Sequence, residues 1–179
     1  AMRFELEPET WTPAEAIAAG MSIAGGPVVL VETADCCGGG AAGDSVATLA
    51  ALLQTDRQER AFVPVVDPAA AAACHAAGLG ATVTCALGHH LDPRWGHPIT
   101  VTGQVMTLTD GRFRYEGGIY DGVAGNMGPS AVLAIDAIQV LITTYGTYDW
   151  RDEQYRAVGL DPATAKFVVA KNPMNYRLA

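Results

Sequence analysis

The sequence GPVVLVETADCCGGGAAGDSVATLAALLQ, residues 26–54, changes its hydrophobic period halfway along. Residues 27–34 form a short apolar run rich in Val. Residues 44–54 place Val46, Leu49, Leu52 and Leu53 at helical spacing, so the pair predicts a buried strand feeding an amphipathic helix. Between them lie Asp35, Cys36 and Cys37, then Gly38, Gly39 and Gly40. Glycine permits close backbone approach and a helix start offers unpaired N–H groups, so this turn is a candidate anion cradle. A tight turn without a ligand explains the same residues. The phosphate-loop pattern needs a Lys after the last Gly, and the dinucleotide pattern is G-x-G-x-x-G; the stretch has neither, which argues against both.

On the N-terminal side, residues 3–7 alternate weakly and predict an edge strand, and Thr12-Pro13-Ala14-Glu15 supplies a cap, an N1 proline and a capping-box Glu. A helix should run from there to about Ala24, stopped by Gly25 and Gly26. On the C-terminal side, residues 61–66 read as a second apolar strand, expected to pair in parallel with the first in a right-handed β-α-β unit. Asp67-Pro68 caps an alanine-rich helix ending at Gly78. Residues 81–87, 99–109, 112–115, 131–135 and 138–144 then alternate or run β-branched, predicting a mainly antiparallel half with Asp110-Gly111 as a hairpin turn. A Gly-rich connection covers residues 116–129. Residues 149–158 predict a short helix closed by Gly159, and residues 167–170 a last buried strand followed at once by Lys171 and Asn172. The fold class expected is a single α/β domain with a mixed parallel and antiparallel sheet and packed helices.

The chain has 179 residues, half of them hydrophobic and 17% charged, enough for one substantial core. A formal charge of -8 with no Lys/Arg cluster would repel a phosphate backbone, so neither nucleic acid nor an anionic membrane surface is an expected partner. No apolar run approaches a bilayer span, and no basic-apolar signal pattern opens the chain, which makes a cytoplasmic location the expectation. Cys36, Cys37, Cys74 and Cys85 show neither paired zinc spacing nor disulfide density, so reduced thiols are expected. Ala1 ahead of Met2 reads as a cloning remnant, the natural segment beginning at Met2 or being cut from something longer.

Among groups able to do chemistry, His89, His90 and His97 share a polar loop with Asp92 and Trp95, but neighbouring residues of an extended chain point to opposite sides and no helical i, i+4 pair exists. Loop histidines are the simpler reading. Ser45 follows Asp44 at a helix start, where capping explains it. Asp35 stands at the carboxyl end of the first core strand, where α/β sheets gather ligands; hydrogen bonding to the glycine-turn amides explains it equally. Lys171 ends the last buried strand in the same manner.

Six segments occur in order: PVVLVETADCCGGGAAGDSVATLAALL from Pro27, DPAAAAACHAAGLG from Asp67, LTDGRFRYEGGIYDG from Leu108, NMGPSAVL from Asn126, RDEQYRAVGLDP from Arg151 and VVAKNPMNYR from Val168. Together they resemble the C-terminal domain of the MlrC-like (microcystinase C) metallopeptidases, over almost the whole of residues 1–179. The resemblance implies a two-domain, zinc-dependent peptidase or amide hydrolase acting on linear peptides such as opened microcystin. On this view the zinc belongs to an N-terminal catalytic domain outside this chain, which would be the partner of these residues. No metal site is expected here, and the isolated chain is expected to be inactive. Asp35 and Lys171 are then the expected catalytic contributors, with Gly38, Gly39, Gly40, Asp44 and Asn172 meeting a substrate carboxylate or developing oxyanion. Self-association is a further expectation left open. The competing reading is a non-catalytic small-molecule-binding or assembly module.

Overall fold

The computed structural model of the protein describes residues 10–56 and 59–174; the strand expected over residues 3–7, and Asn175, Tyr176 and Arg177, lie outside them. Helix α1 (Pro13–Ser22) opens on the capping box read from sequence: Thr12 Oγ1 accepts from the Glu15 amide, and the Glu15 carboxylate accepts from the Thr12 amide at 2.9 Å. Strand β1 (Val28–Val31) follows, then helix α2 (Ala47–Leu53), strand β2 (Ala61–Val66) and helix α3 (Pro68–Ala77), capped by Asp67. Strands β3 (Thr82–Leu87), β4 (Ile99–Thr109), β5 (Arg112–Arg114), β6 (Ala124–Asn126), β7 (Ser130–Ile135) and β8 (Ile138–Thr143) come next, then helix α4 (Glu153–Ala157) and strand β9 (Phe167–Ala170).

The main sheet is ordered β1-β9-β2-β8-β7-β4-β3. β1, β9, β2 and β8 are mutually parallel, and β7, β4 and β3 continue antiparallel, so the expected mixed α/β fold is the one observed. One pairing differs. β1 and β2 run parallel but are not neighbours, because β9 is inserted between them. The reason lies in the apolar run Phe167-Val168-Val169: a strand buried on both faces needs an interior place in the sheet.

The contact between β2 and β9 is short. Only Ala61↔Phe167 and Phe62↔Val168 pair before the strands diverge, and Pro64, with no amide proton for a ladder, lies just past the last pair. The Tyr155 hydroxyl fills the fork, 2.8 Å from the Val169 carbonyl and 3.2 Å from that of Phe62. Further along, the Val66 amide donates to the Gly43 carbonyl, so a loop takes the position that β9 has left.

Asp110-Gly111 makes a turn but not a hairpin between β4 and β5. β7 already pairs with β4 up to Thr109, and β5 pairs with β6 as a separate ribbon instead of folding back on β4. Ala61, Val63 and Val65 pack with α1, α2 and α3 on one face of the sheet. Phe62, Leu141 and Val168 face the other, with Tyr155 and Val158 from the α4 region and Met127 beside the ribbon. Each fully buried Leu, Val or Phe contributes about 1.5–3 kcal/mol relative to exposure. Among the described residues no helix is long and apolar enough to cross a membrane.

Candidate functional site

β1 and β9 leave the sheet side by side, since Val31 is in register with Ala170 and the Glu32 amide donates to the Ala170 carbonyl. The residues that follow them meet. Lys171 Nζ donates to Asp35 Oδ2 at 2.8 Å, to the Gly43 carbonyl at 2.9 Å and to the Ser45 carbonyl at 2.8 Å. An ammonium has three protons, so all of them are engaged within the fold. Asp35 accepts in addition from the Gly43 amide through Oδ1 and from the Ser45 amide through Oδ2, both at 2.8 Å. Both residues are buried. The sequence interval of 136 residues between them is closed by an ion pair whose remaining capacity binds one loop, residues 35–45.

The glycines within that loop serve geometry. Cys37–Gly39 form a single 3-10 turn in which the Gly39 and Ala41 amides donate to the Cys36 carbonyl and the Gly40 amide to that of Cys37. Three of the amides expected to cradle an anion are therefore bonded to the loop itself. A Cβ at Gly38 would collide with the Tyr148 ring. Gly43 takes φ +75°, and a side chain there would collide with Cys37 Sγ and Val66. Cys37 is pushed up to about 12, first by burial and then by the nearby Asp149 carboxylate, which keeps it a thiol rather than a nucleophile at neutral pH.

Asp44, 2% exposed, organises a second loop: its Oδ2 accepts from the Leu91 and Asp92 amides at 2.7 and 2.9 Å, and its carbonyl accepts from the His89 amide. Helix α2 begins at Ala47 rather than near Asp44 because residues 44–46 are tied to that loop and to Lys171. Asp67 does similar work beneath it, capping α3 through the Ala70 amide and accepting from the Gly88 amide and His90 Nδ1 at 2.9 Å each. Asn172 lies on the far side of Lys171. Its side-chain amide donates to the Asp149 carbonyl, while the buried Asp149 carboxylate accepts from the Lys171 amide at 2.9 Å and from Gln154 at 2.7 Å. This tie also shortens the expected 149–158 helix to Glu153–Ala157.

A cleft of about 590 Å³ opens where β1 ends, between the start of α1, the 35–45 loop and the 89–95 loop. Of the residues singled out from sequence, Asp35 and Asp44 line it; Lys171 stands behind Asp35, and Gly38, Gly39, Gly40 and Asn172 lie outside the lining. The sequence reading missed Glu32 and set His89 aside as a loop histidine, yet both line the cleft. His89 is 5% exposed, takes φ 51° and lines the cleft; its Nε2 accepts from the Val46 amide at 3.4 Å, while its buried Nδ1 has no partner among the described residues. Neither the left-handed backbone nor the tie to Val46, 43 residues away, leaves a mark on local spacing. Among the described residues no three His, Cys, Asp or Glu side chains are grouped to hold a metal ion. His89 and His90 turn to different partners, so the residues present do not fit a catalytic zinc, which needs about three protein ligands and an open position.

Comparison with known proteins follows the same outline. Residues 30–179 match the family model described as MlrC C-terminus. Microcystinase C of Sphingomonas sp is 26% identical over 152 residues, covering 85% of this chain and 29% of that protein. A crystal structure from Mesorhizobium sp. BNC1, of a protein provisionally named a metallopeptidase, aligns with 99% of this chain at a TM-score of 0.88 and 27% identity, covering 35% of that chain. The chain thus spans about a third or less of the length of these relatives.

Proposed function

Because the chain belongs to the MlrC C-terminus family, we propose that it serves as the C-terminal part of a metal-dependent peptidase or amide hydrolase, furnishing one wall of the substrate cleft. The observation that carries this reading is the buried Lys171–Asp35 pair, which sets the 35–45 loop against the mouth of a 590 Å³ cleft at the carboxyl ends of parallel strands. The metal, zinc on the family resemblance, belongs to the part of the longer protein that this chain does not span. When bound it would polarise the scissile carbonyl and activate water.

The residues of this chain bind and position. Lys171 and Asp35 are positioning residues that act through the loop, since all three lysine protons are held internally. Asp44 holds the 88–92 segment in place from the other side. Gly38, Gly39, Gly40 and Asn172 support these loops. Leu30, Val31 and Ala34 give the cleft an apolar side that excludes water from a bound peptide.

Thr33 is exposed, lines the cleft and makes no tie to the buried network, so it offers a test that spares the fold. In the longer protein, Thr33→Trp should raise KM for a linear peptide at least tenfold with the thermal midpoint unchanged. Unchanged KM and kcat in that variant would remove this cleft from substrate binding.

A further inference from the structure

We propose that the cleft is a subsite for a basic residue of a peptide, taking a guanidinium or ammonium group together with the carbonyl beside it. This deepens the reading above and rests on the cleft being where substrate lies. Among the described residues the lining carries four carboxylates, Glu32, Asp35, Asp44 and Asp92, and no Lys or Arg side chain. Two of the four are neutralised from behind or outside, Asp35 by Lys171 and Asp92 by Arg94. The other two have no cationic partner among the described residues. Glu32 accepts only from the Thr48 hydroxyl at 3.2 Å, and Asp44 only from two backbone amides. Uncompensated negative charge in a concave site with low-dielectric walls concentrates field there and favours a cation over an anion.

Two independent features point the same way. Trp11 and Trp95 line the cleft while 56% and 79% exposed, and indole faces attract guanidinium and ammonium groups. The second is the unpartnered His89 Nδ1. With Nε2 accepting from Val46, neutral His89 carries its proton on Nδ1, and a buried donor without an acceptor costs about 1–3 kcal/mol. A peptide carbonyl adjoining the basic side chain supplies that acceptor. The carboxylate or oxyanion expected for this loop from sequence would meet charge of its own sign.

The test is binding to this chain, free of any hydrolysis, with N-acetyl-arginine methylamide as probe and the neutral citrulline and acidic glutamate analogues as controls. The indole N–H resonances of Trp11 and Trp95 report the cleft, and Trp150, outside the cleft lining, is the internal reference. The arginine probe should bind at least tenfold tighter than the citrulline probe, shift Trp11 and Trp95 but not Trp150, and weaken at least fivefold in Glu32→Gln. Butylguanidine, which lacks the carbonyl, should bind more weakly than the arginine probe. Equal affinity for arginine and citrulline, preference for glutamate, or indifference to Glu32→Gln would overturn the proposal, and butylguanidine binding as tightly as arginine would overturn its contact with His89. Because nothing here depends on turnover, failure of the hydrolase reading leaves this result readable, and the converse holds.

Discussion

At the scale of single residues, the site is built on a buried ion pair whose other hydrogen bonds go to the backbone of one loop. Lys171 is 4% and Asp35 12% exposed at the side chain, and their free hydrogen-bonding capacity is taken by the backbone of residues 43–45. A buried pair is strongly destabilising to break because the surviving charge stays desolvated, by about 3–5 kcal/mol. Lys171→Met and Asp35→Asn should each cost on that order in urea unfolding, and the double variant should cost clearly less than the sum. Strict additivity would mean that the two side chains do not depend on each other. Sequence placed both residues at strand ends and nominated both, since an aspartate and a lysine ending apolar runs are visible locally. That the lysine turns inward rather than toward a ligand was not visible, because its acceptors are carbonyls 126 and 128 residues away.

At the scale of elements, strands and helices whose signals are local were legible. β2, β4, β9 and α3 keep the predicted bounds, because apolar runs and an Asp-Pro cap with a terminal Gly act within a few residues. Elements with long-range ties were not. α2 starts late, the 149–158 helix is cut short, and the Asp110-Gly111 turn leads to a ribbon, each because a partner distant in sequence occupies the groups that the local pattern leaves free. Asp149 shows what such a tie does to titration. Burial raises its carboxyl above the ordinary range, against the donors Lys171 N–H and Gln154, so the native state keeps this proton where the unfolded chain releases it. Its contribution to stability is therefore present below the ordinary carboxylate pKa of about 3.9 and is lost as pH rises through the raised native value. The urea stability of wild type minus that of Asp149→Asn should fall over this window and then level. A difference that grows with pH would show the carboxylate to be the favoured buried form.

At the scale of the whole molecule, insertion of β9 between β1 and β2 brings Lys171 to the glycine loop. The carboxyl end of β1 then opens on the cleft, and the antiparallel strands β7, β4 and β3 extend the sheet beyond β8. Mixed α/β class was readable from the alternation of patterns. Strand order was not, since a four-residue apolar strand carries no information about which neighbours it separates. The proposed function divides the work: this chain would shape the cleft and the remainder of a longer protein would supply the metal. Side-by-side metal content and linear-peptide hydrolysis, for this chain and for the longer protein, test that division most directly. The account predicts metal-dependent cleavage by the longer protein and neither stoichiometric metal nor cleavage from residues 1–179 alone; a bound metal with turnover in this chain by itself would contradict it.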